Sequence, residues 1–420
     1  MSAKLQESLI IPIGNGITLR YDARHPEHVH TVLKKLAPIS QLLKNIEHSP
    51  GVGDYFDEVT DRILQENDYS VKGRNMLVSR IGKLKHVILK DNPDKKMSDL
   101  SVADISKIKR RLPDAIKQNS KSKSRGENTQ TYYQLFNRLM IEAKNDYFIA
   151  EDIFIKSSKS KHGAITKPFM REDIEELFNS WMYQTYSCSS ATACRQDAYP
   201  YRFWLLPLSL FTGARLNELC QLQISDISKN EDGIHVIDFN DNGAHKSLKN
   251  EHSRREIPIC RALVNMGFLD FVHEQRKSLG ARAQLFNELT YSDYHHYSRT
   301  PSRFFCGART GEGFIGKFCP TASDGALNFK SCRRSFANRL QASGTPTETI
   351  GHLLGHKKIM NHVTNKHYLD KPHSVWLLEI LDSGLNYNVD LTNVRWTNFK
   401  KLMRYNENRK PRGRKAVGFR

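Results

Sequence analysis

The sequence predicts a mainly α-helical chain carrying one small β-sheet or hairpin, with a helical domain followed by a larger mixed α/β domain. Three observations lead there. Apolar residues recur with helical spacing from Gly53 to Tyr147, residues 156–163 contain no apolar side chain, and one strand-like stretch, Ile234 to Ile259, interrupts an otherwise helical second half.

In the first half, Tyr55, Phe56, Val59, Ile63 and Leu64 share one helical face, and Met76, Ile81, Leu84, Val87 and Ile88 share another. Asn92-Pro93 breaks the pattern. A short helix at Val102 to Leu112, a polar loop at Ser120 to Gly126 and a long amphipathic helix at Thr131 to Tyr147 follow. Residues 1–50 combine an alternating stretch, Leu9 to Leu19, with a helical one, Val29 to Ile46, and their role is open. The expected division is therefore an N-terminal segment (1–50), a helical domain (51–155), a basic linker (156–168), a mixed α/β domain (169–385) and a basic C-terminal tail (386–420).

In the second half, helices are expected at Arg171 to Met182 and Phe203 to Phe211. A strand around Ile234, Val236 and Ile237 returns through Glu256-Ile-Pro-Ile259 as a hairpin. Helices then dominate after Asn328.

Sixty-four Lys and Arg against 45 Asp and Glu give a net charge of +19. A surplus of that size points to a polyanionic partner, nucleic acid before membrane. No apolar run approaches the roughly 18 residues a spanning helix needs, and Met1 to Ile10 lacks the layout of a secretory signal. The expectation is a cytoplasmic protein. The seven cysteines are scattered, and none pairs at zinc-knuckle spacing, so reduced thiols are expected. Cys306 and Cys319 with His295 and His296 are a minor metal-binding alternative; the expectation is no metal and no cofactor.

Two blocks carry chemistry. Thr212-Gly-Ala-Arg215-Leu-Asn-Glu218-Leu219 turns from one helix into the next, placing Arg215 at a helix start and Glu218 one turn on. Alone, that pair reads as a surface ion pair. The second block runs from Phe329-Lys330-Ser-Cys-Arg333 along a helix whose inward residues are Phe329, Phe336 and Leu340. Then come Leu354-Gly355-His356 and, twelve residues later, Tyr368.

Together these segments resemble the catalytic domain of tyrosine recombinases, the phage integrase family. That pattern has a Thr-Gly-x-Arg-x-x-Glu-Leu turn, a hairpin lysine, a His-x-x-Arg box, a Leu-Gly-His segment and a tyrosine, and all five parts occur in order over residues 170–370. The resemblance implies that Arg215 and Arg333 clamp the scissile phosphate, where guanidinium forks match the charge that builds on phosphorus. It also implies that His356 hydrogen-bonds that phosphate and that Tyr368 is the nucleophile, leaving a 3′-phosphotyrosyl bond and a free 5′-hydroxyl. Lys249, nine residues before Pro258, fits the hairpin lysine that protonates the leaving oxygen, with Lys246 as runner-up and as a DNA contact. The box departs from the family pattern by placing Lys330 where histidine is usual. Lysine donates a hydrogen bond and adds charge, but accepts a proton only when desolvated.

Further DNA contacts are expected from linker residues Lys156, Lys159 and Lys161. In the tail, Arg409 to Lys415 is similar to an AT-hook, with Arg412 and Arg414 in the minor groove and Lys415 in place of the usual proline. Residues 400–420, with nine Lys or Arg and one acid, are expected to lack order without DNA. The apolar stretch Val375 to Leu381 packs on its own domain or, as in the family, on a neighbouring protomer. The resemblance implies a site-specific recombinase acting on double-stranded DNA with a specific attachment site. It would work as a homo-tetramer through a Holliday junction, with accessory DNA-bending or directionality proteins as candidate partners. Alternatives are a type IB topoisomerase or telomere resolvase sharing the chemistry, and a non-cleaving DNA-binding regulator sharing the fold.

Overall fold

The computed structural model describes residues 8–14, 17–22, 45, 48–118, 129–149, 153–155, 166–184, 198–307, 312–322, 326–356 and 373–407. The chain divides into two compact units, Met1–Gly163 and Ala164–Arg420, a division that lies within residues 156–168.

The first unit opens on an antiparallel hairpin, β1 (Ser8–Gly14) and β2 (Ile17–Asp22), with Leu9 opposite Tyr21 and Ile11 opposite Leu19. Among the described residues, helices α1 (Val52–Glu66), α2 (Val71–Leu89), α3 (Val102–Gln118) and α4 (Thr129–Asn145) follow. In α1 the apolar residues fall at i, i+3, i+4, i+7 and i+11, so Val52, Tyr55, Phe56, Val59 and Ile63 line one face and are at most 2% exposed. They meet Ile81, Leu84 and Val87 of α2 and Tyr132, Phe136 and Leu139 of α4 in one core. Ser70 caps α2, its hydroxyl accepting from the Gly73 amide at 3.2 Å. Asp146, just past α4, accepts from both Tyr55 Oη and Arg62 at 2.6 Å and ties the end of α4 to α1. The helix expected at Val29 to Ile46 and the loop at Ser120 to Gly126 lie outside the described residues, Asn45 excepted.

The second unit is built around α6 (Pro200–Thr212), preceded by α5 (Arg171–Asn179). Proline at the first helical position has φ preset for a helix start. Every residue from Phe203 to Thr212 is buried, and a helix apolar on all sides belongs at the centre of its domain. A short helix α7 (Leu216–Cys220) leads into a three-stranded antiparallel sheet of β3 (Ile227–Lys229), β4 (His235–Phe239) and β5 (Arg255–Pro258). Val236 pairs with Pro258 and Phe239 with Arg255. Sequence pattern marks β4 and β5 but not β3, whose three residues bury only Ile227 and are too few for an alternation to register. Helices α8 (Arg261–Asn265), α9 (Phe268–Leu279), α10 (Arg299–Cys306) and α11 (Phe314–Phe318) complete one side of the unit. Then α12 (Lys330–Ala342) packs on α6, followed by α13 (Thr347–Leu354) and α14 (Ser374–Gly384). Leu377 and Leu381 of α14 enter this unit's core, whereas Val375 and Trp376 are 42% exposed.

The expected basic tail is corrected over residues 387–407. Residues 396–407 form α15 (Trp396–Glu407), and Tyr387, Val394, Trp396, Phe399 and Leu402 are buried in the same core as α6. Trp396 meets Phe271 edge-on at 4.8 Å between ring centres, and Phe399 lies 5.0 Å from Phe203. The Trp396 indole donates to Glu274 Oε2 at 3.0 Å, while Lys400 pairs with Glu274 Oε1 at 2.6 Å. Three of the basic residues counted toward a disordered tail, Lys400, Lys401 and Arg404, therefore lie on this helix. Truncating so large a buried ring costs about 3–5 kcal/mol. Trp396→Ala should thus lower the urea midpoint of the full chain by an amount corresponding to that loss, and an unchanged midpoint would remove α15 from the core.

Candidate active site

The site begins where α6 ends. Gly213 takes a left-handed conformation (φ 66°) and its amide donates to Ser209 O at 3.0 Å. A Cβ here would come within 2.6 Å of Phe336 and 2.9 Å of Leu354, so the turn presses α6 against α12 and α13 as only glycine allows. Ser209 donates its hydroxyl to Ala214 O at 3.0 Å, and the Ala214 amide donates to Thr212 Oγ1 at 3.2 Å. These bonds deliver Arg215 to the cap position of α7, where its amide donates to Glu218 Oε2 at 3.0 Å.

Glu218 is 3% exposed and bridges two guanidinium groups. Arg215 Nη1 donates to its Oε1, and Arg255 Nη2 to its Oε2 at 2.9 Å. Arg255 projects from β5 with its side chain 1% exposed. It also donates to Leu353 O and Ser253 O, both at 2.7 Å, and lies 4.5 Å over the Phe239 ring. Sheet, α7 and the end of α13 therefore meet at one carboxylate. Burial works to raise the Glu218 carboxyl, but Arg255 and Arg215 overcome it and hold it below the usual carboxylate range.

Arg333, one turn into α12, donates to Gly213 O at 2.8 Å and to Leu354 O, and its Nη2 lies 3.1 Å from His356 Nε2. A guanidinium only donates, so Nε2 is the acceptor and the imidazole proton sits on Nδ1. The Gly355 turn (φ 62°) that precedes His356 is pressed against Ser253 Cα and Arg255, within 3.0 and 3.2 Å of a Cβ placed there. Arg215, Arg333 and His356 are thus gathered from three separate segments of chain.

The electrostatics are those of a site built for an anion. Burial and the charges of Arg215 and Arg255 push Arg333 down to about 9, with only Glu218 opposing them among the groups acting on it. It remains a cation at neutral pH. Desolvation, then Arg333, Arg215, Arg255 and Lys249, lower His356 below the usual imidazole range, so the ring is neutral. A phosphate set among these donors relieves every one of these repulsions.

The other expected residues fall as follows. Lys249 is exposed in the loop between β4 and β5, close enough for its charge to reach His356. Lys330 is exposed at the first position of α12, one turn before Arg333. Lys246 does not face solvent. Its side chain is 2% exposed, and its ammonium donates to both Asp226 oxygens at 2.9 Å and to Asn240 Oδ1 at 2.5 Å, leaving no donor toward DNA. Tyr368 and the proposed DNA contacts Lys156, Lys159, Lys161, Arg412 and Arg414 lie outside the described residues. Among the described residues, no group of three His, Cys, Asp or Glu side chains is placed to hold a metal ion, and no helix is long and apolar enough to cross a membrane. Sequence pattern alone misses Arg255 and Ser253. No local signal marks Arg255, since an arginine that begins a strand reads as exposed until its carboxylate partner is known.

Residues 169–373 match the phage integrase family. Among solved structures, the chain is similar to a lambda integrase dimer bound to a COC′ core site, at 14% identity over 85% of this chain and 92% of that one, with a TM-score of 0.41. It is similar also to a lambda integrase tetramer bound to a Holliday junction, at 14% identity over 83% and 93%, with a TM-score of 0.40. The Tn1549 transposon integrase in complex with circular intermediate DNA gives 16% identity over 78% and 98%, with a TM-score of 0.47. No curated protein matches the chain. Residues 169–373, the stretch that matches the phage integrase family of DNA-cutting and DNA-joining tyrosine recombinases, hold the whole cluster of Arg215, Arg255, Arg333 and His356.

Proposed function

We propose that this protein is a site-specific DNA recombinase, the integrase of a mobile element, that cuts and rejoins duplex DNA through a covalent bond to Tyr368. The observation that carries the reading is the guanidinium pair Arg215 and Arg333, converging with neutral His356 and short of counter-charge. In the proposed step, Tyr368 Oη attacks the scissile phosphorus and the bond from phosphorus to O5′ breaks. Lys249 delivers its proton to the departing O5′. The phenol proton passes to His356 or to the phosphate itself, because Lys330 is a poor acceptor while charged. Arg215 and Arg333 hold the non-bridging oxygens as charge builds on the five-coordinate phosphorus. The phosphotyrosyl bond conserves the energy of the broken bond, so a second 5′-hydroxyl can reverse the step without ATP. Rejoining to a partner duplex within a homo-tetramer would make and resolve a Holliday junction.

The direct test is covalent capture on a nicked suicide duplex carrying the DNA flanking the gene, in excess EDTA. The wild-type chain is expected to form an adduct there, because its own cations supply the positive charge, and Tyr368→Phe is expected to bind the duplex equally well and form none. An adduct in the variant would assign another nucleophile, and no adduct in either would leave a DNA-binding regulator. Strand joining between two duplexes separates a recombinase from a topoisomerase.

The depressed His356 gives a pH dependence with a fixed sign. Phosphate in the site raises the ring's pKa above its free value, so binding takes up a proton over the interval between the two. Affinity for duplex should therefore rise as pH falls through that interval, by at most about tenfold per pH step of one. His356→Gln should flatten that slope, and an equal slope in the variant would assign it elsewhere.

Lys330, exposed at the start of α12 one turn before Arg333, is proposed to hydrogen-bond the phosphate. Lys330→His should keep or raise cleavage, and Lys330→Ala should cost about 10²-fold or less. A Lys330→His variant as inactive as Tyr368→Phe would show a role that only lysine fills.

A further inference from the structure

The loop that presents Lys249 is held at more points than an exposed hairpin needs. Its base is closed by the pairing of Phe239 with Arg255 and by an ion pair between Arg254 and Asp241 at 2.6 Å. Before Lys249, the Lys246 ammonium is buried on Asp226 and Asn240, and the Ser247 amide donates to Gln221 Oε1 at 3.0 Å. After it, Asn250 Oδ1 accepts from Ser253 Oγ at 2.9 Å, and that same hydroxyl lies 3.4 Å from Arg215 Nη1. On the outer side, the His245 ring packs on Tyr291 with ring centres 4.1 Å apart.

The inner anchors lead back to the phosphate clamp. Gln221 caps the C-terminal end of α7, the helix that starts at Arg215. Its Oε1 accepts from Asn217 at 3.1 Å as well as from Ser247, and its amide donates to Asn240 O at 3.4 Å. Asp226, 6% exposed, also accepts from Asn240 Nδ2 at 3.1 Å and from the Gln223 amide at 2.7 Å. One buried polar network therefore spans the helix of Arg215, the end of β4 and the loop of Lys249. Burying an ammonium group is costly unless it is fully paired. A lysine three residues from the exposed one that spends its donors inward fixes where the loop runs rather than what it touches.

We propose that Lys246 is a positioning residue for the cleavage step: through Asp226 and Asn240 it holds the loop so that the Lys249 ammonium meets the leaving O5′ while Arg215 holds the same phosphate. The proposal rests on Lys249 as the proton donor of the reading above. A donor held in place is worth more than a tethered one, because a misplacement of about 1 Å can cost on the order of 10²-fold.

The test compares single-turnover cleavage of two suicide duplexes, one with the natural 5′-oxygen at the scissile phosphate and one with a bridging 5′-sulfur, a leaving group that departs without protonation. Lys249→Ala should cleave the oxygen substrate about 10²-fold more slowly or worse and recover on sulfur. Lys246→Met should also be slowed on oxygen, by at least about tenfold, and recover on sulfur, with duplex affinity unchanged. Gln221→Met, which removes the Ser247 anchor but keeps the volume and leaves Lys246 paired, should show the same pattern in milder form and guards against a Lys246→Met chain that does not fold. Equal slowing on both substrates in a folded variant, or no slowing at all, would overturn the positioning role. Recovery on sulfur by Lys249→Ala but by neither other variant would defeat this proposal alone. No recovery by Lys249→Ala would remove Lys249 as proton donor, and the proposal with it.

Discussion

The carboxylate of Glu218 is the point on which the catalytic unit is organised. It sits between Arg215 on α7 and Arg255 on β5, and Arg255 in turn donates to the last turn of α13. Such a pair contributes little net stability, because desolvation consumes most of the Coulombic gain, yet breaking it leaves a buried charge at a cost of about 3–5 kcal/mol. Its value lies in geometry. Three elements distant in sequence can meet at 3% exposed Glu218 in only one relative placement, and that placement sets Arg215 toward the space that Arg333 enters from α12. The glycine turns serve the same end: Gly213 lets the Phe336 and Leu354 side chains close on the turn, and Gly355 lets the Ser253 backbone do so, where any side chain would intrude.

Much of this is legible in the sequence, for physical reasons that differ element by element. The buried faces of α1, α2 and α4 repeat with helical spacing, and a face set by periodicity can be read without knowing what it packs against. Arg215, Arg333 and His356 can be found because their segments, each weak alone, together resemble the phage integrase pattern; the turns Thr212-Gly213 and Leu354-Gly355 mark only Arg215 and His356. Arg255 is not legible, since an arginine beginning a strand looks exposed unless its carboxylate partner, 37 positions away, is known to face it. The hairpin lysines illustrate the same limit. Spacing favours Lys249 with Lys246 as runner-up, and only the fold shows that Lys246 is buried on Asp226 while Lys249 is exposed.

The C-terminal segment misleads because its charge density is more conspicuous than its periodicity. Trp396, Phe399, Leu402 and Met403 recur at helical spacing among Asn, Lys and Arg, and that spacing outweighs the basic composition once aromatic partners exist at Phe203 and Phe271. This last helix of the core also closes it, since Trp396 contacts α6 and α9 together. The apolar surface left open by α6 is therefore complete only when residues near 400 have arrived.

The cations of the site impose one further consequence on its proton chemistry. With lysine at 330 there is no imidazole at the position where the family usually places one, so on the proposed reading a proton acceptor must come from elsewhere. The only titratable ring in the described cluster is His356, and the same positive charges that call for a phosphate keep it neutral before substrate arrives. Its Nε2 is then occupied by Arg333. A bound phosphate competes for the guanidinium donors of Arg333, which frees Nε2, and its negative charge makes the ring more basic. Both changes come from the substrate itself. On the proposed reading the site thus gains a proton acceptor as it gains the phosphate to be attacked, so a lysine at 330 need not disable the enzyme.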